Sequence, residues 1–279
     1  MSLWGATLAS SMKDESRDAP PGVLGNVLLP HLPRAQIEAI YLAAPGNEIG
    51  TGKFENPESS AVLVANAFGF FLDRPNIFPV LPHLEALRWP ASELSIERPI
   101  RFPWAGGRHP CLDVVVRTPD ALIGIESKRY EPYRPKQLKR HSAAYRRDVW
   151  GSQMRGYAQA LEIVESRPRL FPRLDAAQLV KHALALRTQI HRAGDECRRG
   201  VLYYLYADPI QWPDGSPVSS DLRSQHEDDI QRFREFVADC EVGFIAAKYS
   251  EVLEGWVRSE DASVAAHATA VATWLGNGK

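Results

Sequence analysis

Cysteine is scarce: Cys111, Cys197 and Cys240 are the only three in 279 residues. Odd in number and far apart, they form neither a disulfide framework nor a zinc-ligand spacing. They read as small buried hydrophobes in a reducing cytoplasm. Long apolar runs are also missing. No window approaches the roughly 18 uncharged apolar residues of a membrane span, so no membrane partner is expected. The opening stretch MSLWGATLASSMKDESRDAPPG lacks a basic start followed by an apolar core and reads as a flexible tail over residues 1–30, not a signal peptide. Several catalytic signatures are absent. No Gly-Lys-Ser/Thr follows the glycines of GGRHP (Gly106 to Pro110), and there is no Gly-x-Ser-x-Gly or His-Glu-x-x-His. His182 and His191, nine apart, do not have ligand spacing and read as core or surface residues.

What is present is an ordinary globular composition, 44% hydrophobic and 24% charged. A net charge of -1 gives no general affinity for polyanions, but the charge is unevenly spread. From Glu126 to Arg155 nine basic residues face only three acids, a local excess of +6 that leaves -7 on the remainder. Such a field beside an acidic pair suits a phosphate backbone; a solvated loop and helix face is the bland alternative.

Periodicity and punctuation predict an order of elements. Leu32 to Gly46 reads as a short helix ended by Pro-Gly, and Asn56 to Pro75 as a helix starting near Pro57, apolar on almost every side. Glu93 to Trp104 alternates as a strand, and a hairpin follows. Ala143 to Val164 reads as a helix with Trp150, Met154, Tyr157 and Leu161 as its core stripe. Leu174 to Arg192 is a further helix, GVLYYLYADP (Gly200 to Pro209) a central strand, and Ser220 to Ala238 an amphipathic helix. The strand VGFIAA and terminal helices close the order. Helices on both sides of a mixed sheet make an α/β sandwich, and no boundary divides it.

The hairpin, CLDVVVRTPDALIGIESKRYE, carries the chemistry. With Thr118 to Ala121 as its β-turn, cross-strand partners have numbers summing to 239, so Asp113 faces Glu126. Their Cβ atoms would then lie about 4.5–5.5 Å apart, and Lys128 shares the face of Glu126. Two such carboxylates repel unless something positive lies between them. A hard divalent cation meets that need, with the Ser127 carbonyl as a further ligand and Lys128 placed to orient or deprotonate a water. A salt-bridged trio on an exposed edge is the alternative, and the flanking valines and isoleucines weigh against it.

Asp113, twelve residues, then Glu126-Ser127-Lys128 resembles the D-x(n)-E-x-K motif of the PD-(D/E)XK nuclease superfamily, although Leu112 replaces the motif's proline. Gln153-Met154-Arg155-Gly156-Tyr157 resembles the Q-x-x-x-Y element of some branches, and Gly52 to Phe71 looks like a segment of bacterial restriction-endonuclease-like proteins. The resemblance implies a restriction endonuclease-like sandwich of core order αβββαβ with extra C-terminal helices, one domain over residues 31–279. It implies a deoxyribonuclease using Mg²⁺ or Mn²⁺, with Asp113, Glu126 and Lys128 catalytic and Asp113, Glu126 and Ser127 at the metal. Gln153, Tyr157 and Glu58 would support the site, Glu48 and Glu97 being rivals to Glu58 and Glu97 the more exposed. Arg108, Arg129, Arg134, Lys136 and Arg155 would hold DNA. A homodimer stays open as an assembly state. The alternative is a non-catalytic nucleic-acid-binding or interaction protein that keeps the fold.

Overall fold

A computed structural model describes residues 27–56, 58–104, 109–135, 142–147, 149–192 and 197–276. Its centre is a five-stranded mixed sheet in the order β1-β2-β3-β4-β5. The strands are β1 (Glu93–Pro99), β2 (Cys111–Arg117), β3 (Ala121–Lys128), β4 (Arg199–Tyr206) and β5 (Val242–Lys248). The first three are antiparallel neighbours, whereas β3, β4 and β5 run parallel. Parallel strands need crossovers, and the chain between β3 and β4 supplies α3 (Arg155–Ser166) and α4 (Ala176–Ile190), with α5 (Ser220–Val237) between β4 and β5. The remaining helices are α1 (Arg34–Ala43), α2 (Ser60–Phe68), α6 (Tyr249–Val257) and α7 (Ala262–Gly276).

The two faces of the sheet carry separate cores. On one, Val114, Val116, Ile123, Ile125 and Tyr203 pack with α1, α2, α6 and α7. On the other, Val115, Leu122, Leu202 and Tyr204 pack with α3, α4 and α5. The uniform apolarity of α2 thus has its cause in burial: every residue from Val62 to Phe68 is buried, and Ser59 caps the helix by accepting from Ala61 N. Within the expected tail, Leu28 is buried and Asn66 ties the backbone of Val27 and Leu29, so residues 27–29 are packed against α2.

The hairpin register is the one the turn dictates. Val114↔Ile125 through Arg117↔Leu122 all sum to 239, and Thr118 closes the turn by donating its N–H to the Ala121 carbonyl. Alternation nevertheless breaks at one rung. Leu112 packs on the α4 face and Val114 on the opposite face, although a strand would place them together. A Cβ on Gly124 would lie 2.1 Å from Leu112 Cδ2, so the glycine is what lets Leu112 close over β3. On β1 the break recurs at Glu97, whose φ of 51° lies in the left-handed region. Ile96↔Val114 and Arg98↔Leu112 flank that residue, so Glu97 and Asp113 stand opposite each other where both strands change face.

Candidate active site

Glu97, Asp113 and Glu126 form a row across β1, β2 and β3, near the carboxyl end of β3. Glu126 is fully buried. One of its oxygens is ion-paired with Lys128 Nζ and the other lies 2.9 Å from His182 Nδ1. Lys128 also donates to Gln178 Oε1 at 3.1 Å. Gln178 and His182 are one turn apart on α4, which packs on β3 and β4 and whose first turn is capped by Asp175. The half-buried Asp113 turns its Oδ2 to the backbone N–H of Ser127, 2.7 Å away. The Ser127 hydroxyl points to the other layer, 2.8 Å from the hydroxyl of Tyr249.

Burial and the charge of Glu126 push the Asp113 carboxyl well above the usual range, against the pull of Lys128. Burial would raise Glu126 too, but Lys128 and His182 outweigh it and hold that carboxyl at about 2. Burial would lower Lys128, yet Glu126, Asp113 and Glu131 raise it above its ordinary value. The pair therefore divides its labour: Glu126 stays ionised against the lysine, and Asp113 is the one that takes a proton. Glu97 is pushed up to about 7 by burial, with Glu48 and Glu126 adding repulsion against a hydrogen bond from Cys111. Expected on an exposed strand face, Glu97 instead belongs to the acidic row, because the break in alternation turns it inward.

Other expected site residues lie elsewhere. Tyr157 is buried and donates to the Val242 carbonyl at 2.9 Å, while Gln153 is exposed and only its backbone carbonyl is engaged, by Glu241 N–H. Val242 heads β5 beside Gly200 and hence Leu122, whereas Glu126 aligns with Tyr204 and Ala246. Four residues of strand, about 13 Å, separate the two rows. Arg155 is exposed at the start of the same α3. Glu58 pairs with Arg134 and not with the acidic row. Arg134 also lies 4.3 Å from the Trp212 ring centre. Arg129, expected to face phosphate, is only 2% exposed, with its guanidinium 4.6 Å from Trp274. Arg108 and Lys136 lie outside the described residues.

Sequence reasoning missed Gln178 and assigned His182 to core or surface. The available signal was their spacing of four on one helix face; His182 had been weighed only against His191. Among the described residues no group of three or more His, Cys, Asp or Glu side chains is arranged to hold a metal ion. The donor chemistry of the row is that of a hard cation's ligands: oxygen atoms only, with the Asp113 carboxyl raised by burial and by Glu126. No helix among the described residues is long and apolar enough to cross a membrane. No protein-family model matches the chain, no curated protein matches it, and no solved structure matches its fold.

Proposed function

We propose that the protein is a metal-dependent nuclease that hydrolyses phosphodiester bonds, with DNA the favoured substrate, on a restriction endonuclease-like sheet. The observation that carries this reading is the end of the hairpin. Asp113 and Glu126 lie just past the last paired rung, Val114↔Ile125, where Asp113 accepts from Ser127 N–H and Lys128 pairs with Glu126. The strand order, antiparallel through β3 and parallel beyond it, agrees with the αβββαβ core of the PD-(D/E)XK resemblance.

Asp113 and Glu126 would hold Mg²⁺ or Mn²⁺. A divalent cation there supplies charge that lets both carboxyls ionise, a water of lowered pKa and neutralisation of the phosphoryl oxygens. The chain's own contribution follows from its charges. Lys128, held protonated, cannot take a proton from water, so it orients the nucleophile and stabilises negative charge on phosphorus-bound oxygen. Gln178 fixes the ammonium and His182 fixes Glu126, so both side chains meet substrate in set positions. In hydrolysis the water oxygen bonds to phosphorus, one phosphorus–ester oxygen bond breaks, and the leaving oxygen takes up a proton.

One observation favours a second reading, a nucleic-acid-binding protein with an idle site: Lys128 already pairs with one oxygen of Glu126, and His182 Nδ1 stands 2.9 Å from the other. Plasmid, linear and single-stranded DNA and RNA, incubated with Mg²⁺ or Mn²⁺, separate the two. Cleavage abolished by chelator and by Lys128→Ala is expected. Intact substrates throughout, or cleavage unchanged in Lys128→Ala, would sink the nuclease reading.

A further inference from the structure

A cleft of ≈ 900 Å³ opens past the carboxyl end of β3, between the loop after β4 and helices α6 and α7, in the layer opposite α4. It begins one residue beyond Lys128, at Arg129 and Tyr130, and includes Tyr249, whose hydroxyl touches Ser127. Its volume lies in the range of sites that enclose a small organic group, about 300–1,000 Å³. The carboxyl ends of parallel strands are also where open α/β sheets take their ligands.

The lining suits a flat ring. Tyr130 and Trp212 stack at 5.3 Å and 21°, and the Tyr130 hydroxyl donates to the Gln211 carbonyl, which pins the ledge to the loop. Leu253 and Val257 of α6 add aliphatic surface, and Ile210 lines the cleft while 67% exposed. The cations stand at the edges. Arg134 lies against Trp212 with half its side chain in solvent, and Arg258 lines the cleft with its side chain 75% exposed. Arg258 pairs with Glu254 at 3.5 Å on the surface, a contact that an incoming phosphate can replace at little cost. Apolar and aromatic walls with arginines at the lip match a nucleobase whose flanking phosphates remain outside.

We propose that this cleft receives one unstacked base of a nucleic-acid strand, so that the protein engages single-stranded or unpaired stretches beside the Asp113–Glu126–Lys128 row. The inference rests on the proposed nuclease function and deepens it. A paired duplex reaches the cleft only by flipping a base, which costs unstacking energy, whereas a single strand does not meet that cost.

Labelled oligothymidylate of about ten nucleotides and a duplex of equal length, titrated in chelator so that nothing is cut, provide the test by anisotropy. The single strand is expected to bind more tightly than the duplex. Trp212→Ala and Ile210→Glu should each weaken single-strand binding about ten-fold or more while leaving duplex binding unchanged. Ile210→Glu changes an exposed side chain and keeps the test valid where Trp212→Ala disturbs its loop. Unaltered single-strand affinity in folded Ile210→Glu overturns the inference, as does thymidine monophosphate binding as tightly as the strand. The two readings fail separately. Variant-sensitive binding without metal-dependent cleavage leaves the base pocket standing and removes the nuclease; cleavage with variant-insensitive binding does the reverse.

Discussion

Lys128→Met removes the lysine paired with the fully buried Glu126 carboxylate, and its consequence can be worked from the site. Glu126 has no exposed surface, and the Lys128 side chain is 14% exposed. Deleting one partner of a buried ion pair costs about 3–5 kcal/mol, because the other charge is left uncompensated. His182 remains 2.9 Å from the carboxylate, which places the loss near the lower end, about 3 kcal/mol. For a chain of this size that corresponds to a fall in Tm of about 6–12 °C. The pH dependence has a definite sign. Wild-type Glu126, held at about 2 against an ordinary 4.5, contributes stability that is complete above pH 4.5 and is lost as the pH falls toward 2. In the variant burial is opposed by His182 alone, so Glu126 ionises at a cost and the protein gains by protonating it. The stability gap should therefore be widest near neutrality and close as acid is added. Thermal melts followed by circular dichroism at several pH values measure it, and Lys128→Met/Glu126→Gln should recover most of the loss. A gap below about 1 kcal/mol at neutral pH, or one that does not shrink in acid, refutes the assignment of an ionised, lysine-compensated Glu126.

Asp113→Asn keeps the acceptor for Ser127 N–H and removes repulsion with Glu126 and Glu97. Because burial and Glu126 raise Asp113, its ionisation costs the folded state more as pH rises above the ordinary carboxylate range, so the variant's metal-free stability gain should grow with pH from there while cleavage ends; melts at acidic and alkaline pH check the sign. Gln178→Ala and His182→Ala should lower kcat about 10–100-fold with KM little changed, and His182→Asn should recover part of the loss. His267, buried against Phe70, donating from Nε2 to the Ala67 carbonyl and hydrogen-bonded at Nδ1 to His31, is held at about 4 by burial. The unfolded chain takes up that proton first, so stability should fall by up to about 3 kcal/mol between pH 6.5 and 4. His267→Gln should flatten this part of the profile in acid titrations.

The sheet was legible because its signals are local. Turn residues at Thr118 to Ala121 set the hairpin register, and runs such as Val114 to Val116 and Val201 to Tyr206 mark strands covered on both faces. The Glu126–Lys128 pair followed from their spacing of two on one strand. Its surroundings did not, because they depend on which helix covers β3. Both α3 and its 3-10 lead-in (Gln153, Tyr157) and α4 (Gln178, His182) carry a polar–ring pair one turn apart. Only packing distinguishes them: α4 lies on β3 and β4, while α3 packs against α4 and α5. Basic residues misled in a similar way. Arg129 looks like a surface cation in a charged run, yet Trp274, nearly 150 residues later, covers it.

Stability alone gives no reason for the row at Glu97, Asp113 and Glu126. A buried ion pair is weak support for a fold and can often be replaced by apolar residues with no loss. Glu97 adds a left-handed backbone worth about 1–3 kcal/mol of strain on a residue without the freedom of glycine. Asp113 adds a carboxyl that its neighbours keep from ionising freely. These three costs fall together, where both β1 and β2 change face. A chain selected for packing would let the alternation run on with valines. The break instead sets Leu112 and Val114 on opposite faces of the sheet and leaves Glu97 and Asp113 level with each other where the two strands turn.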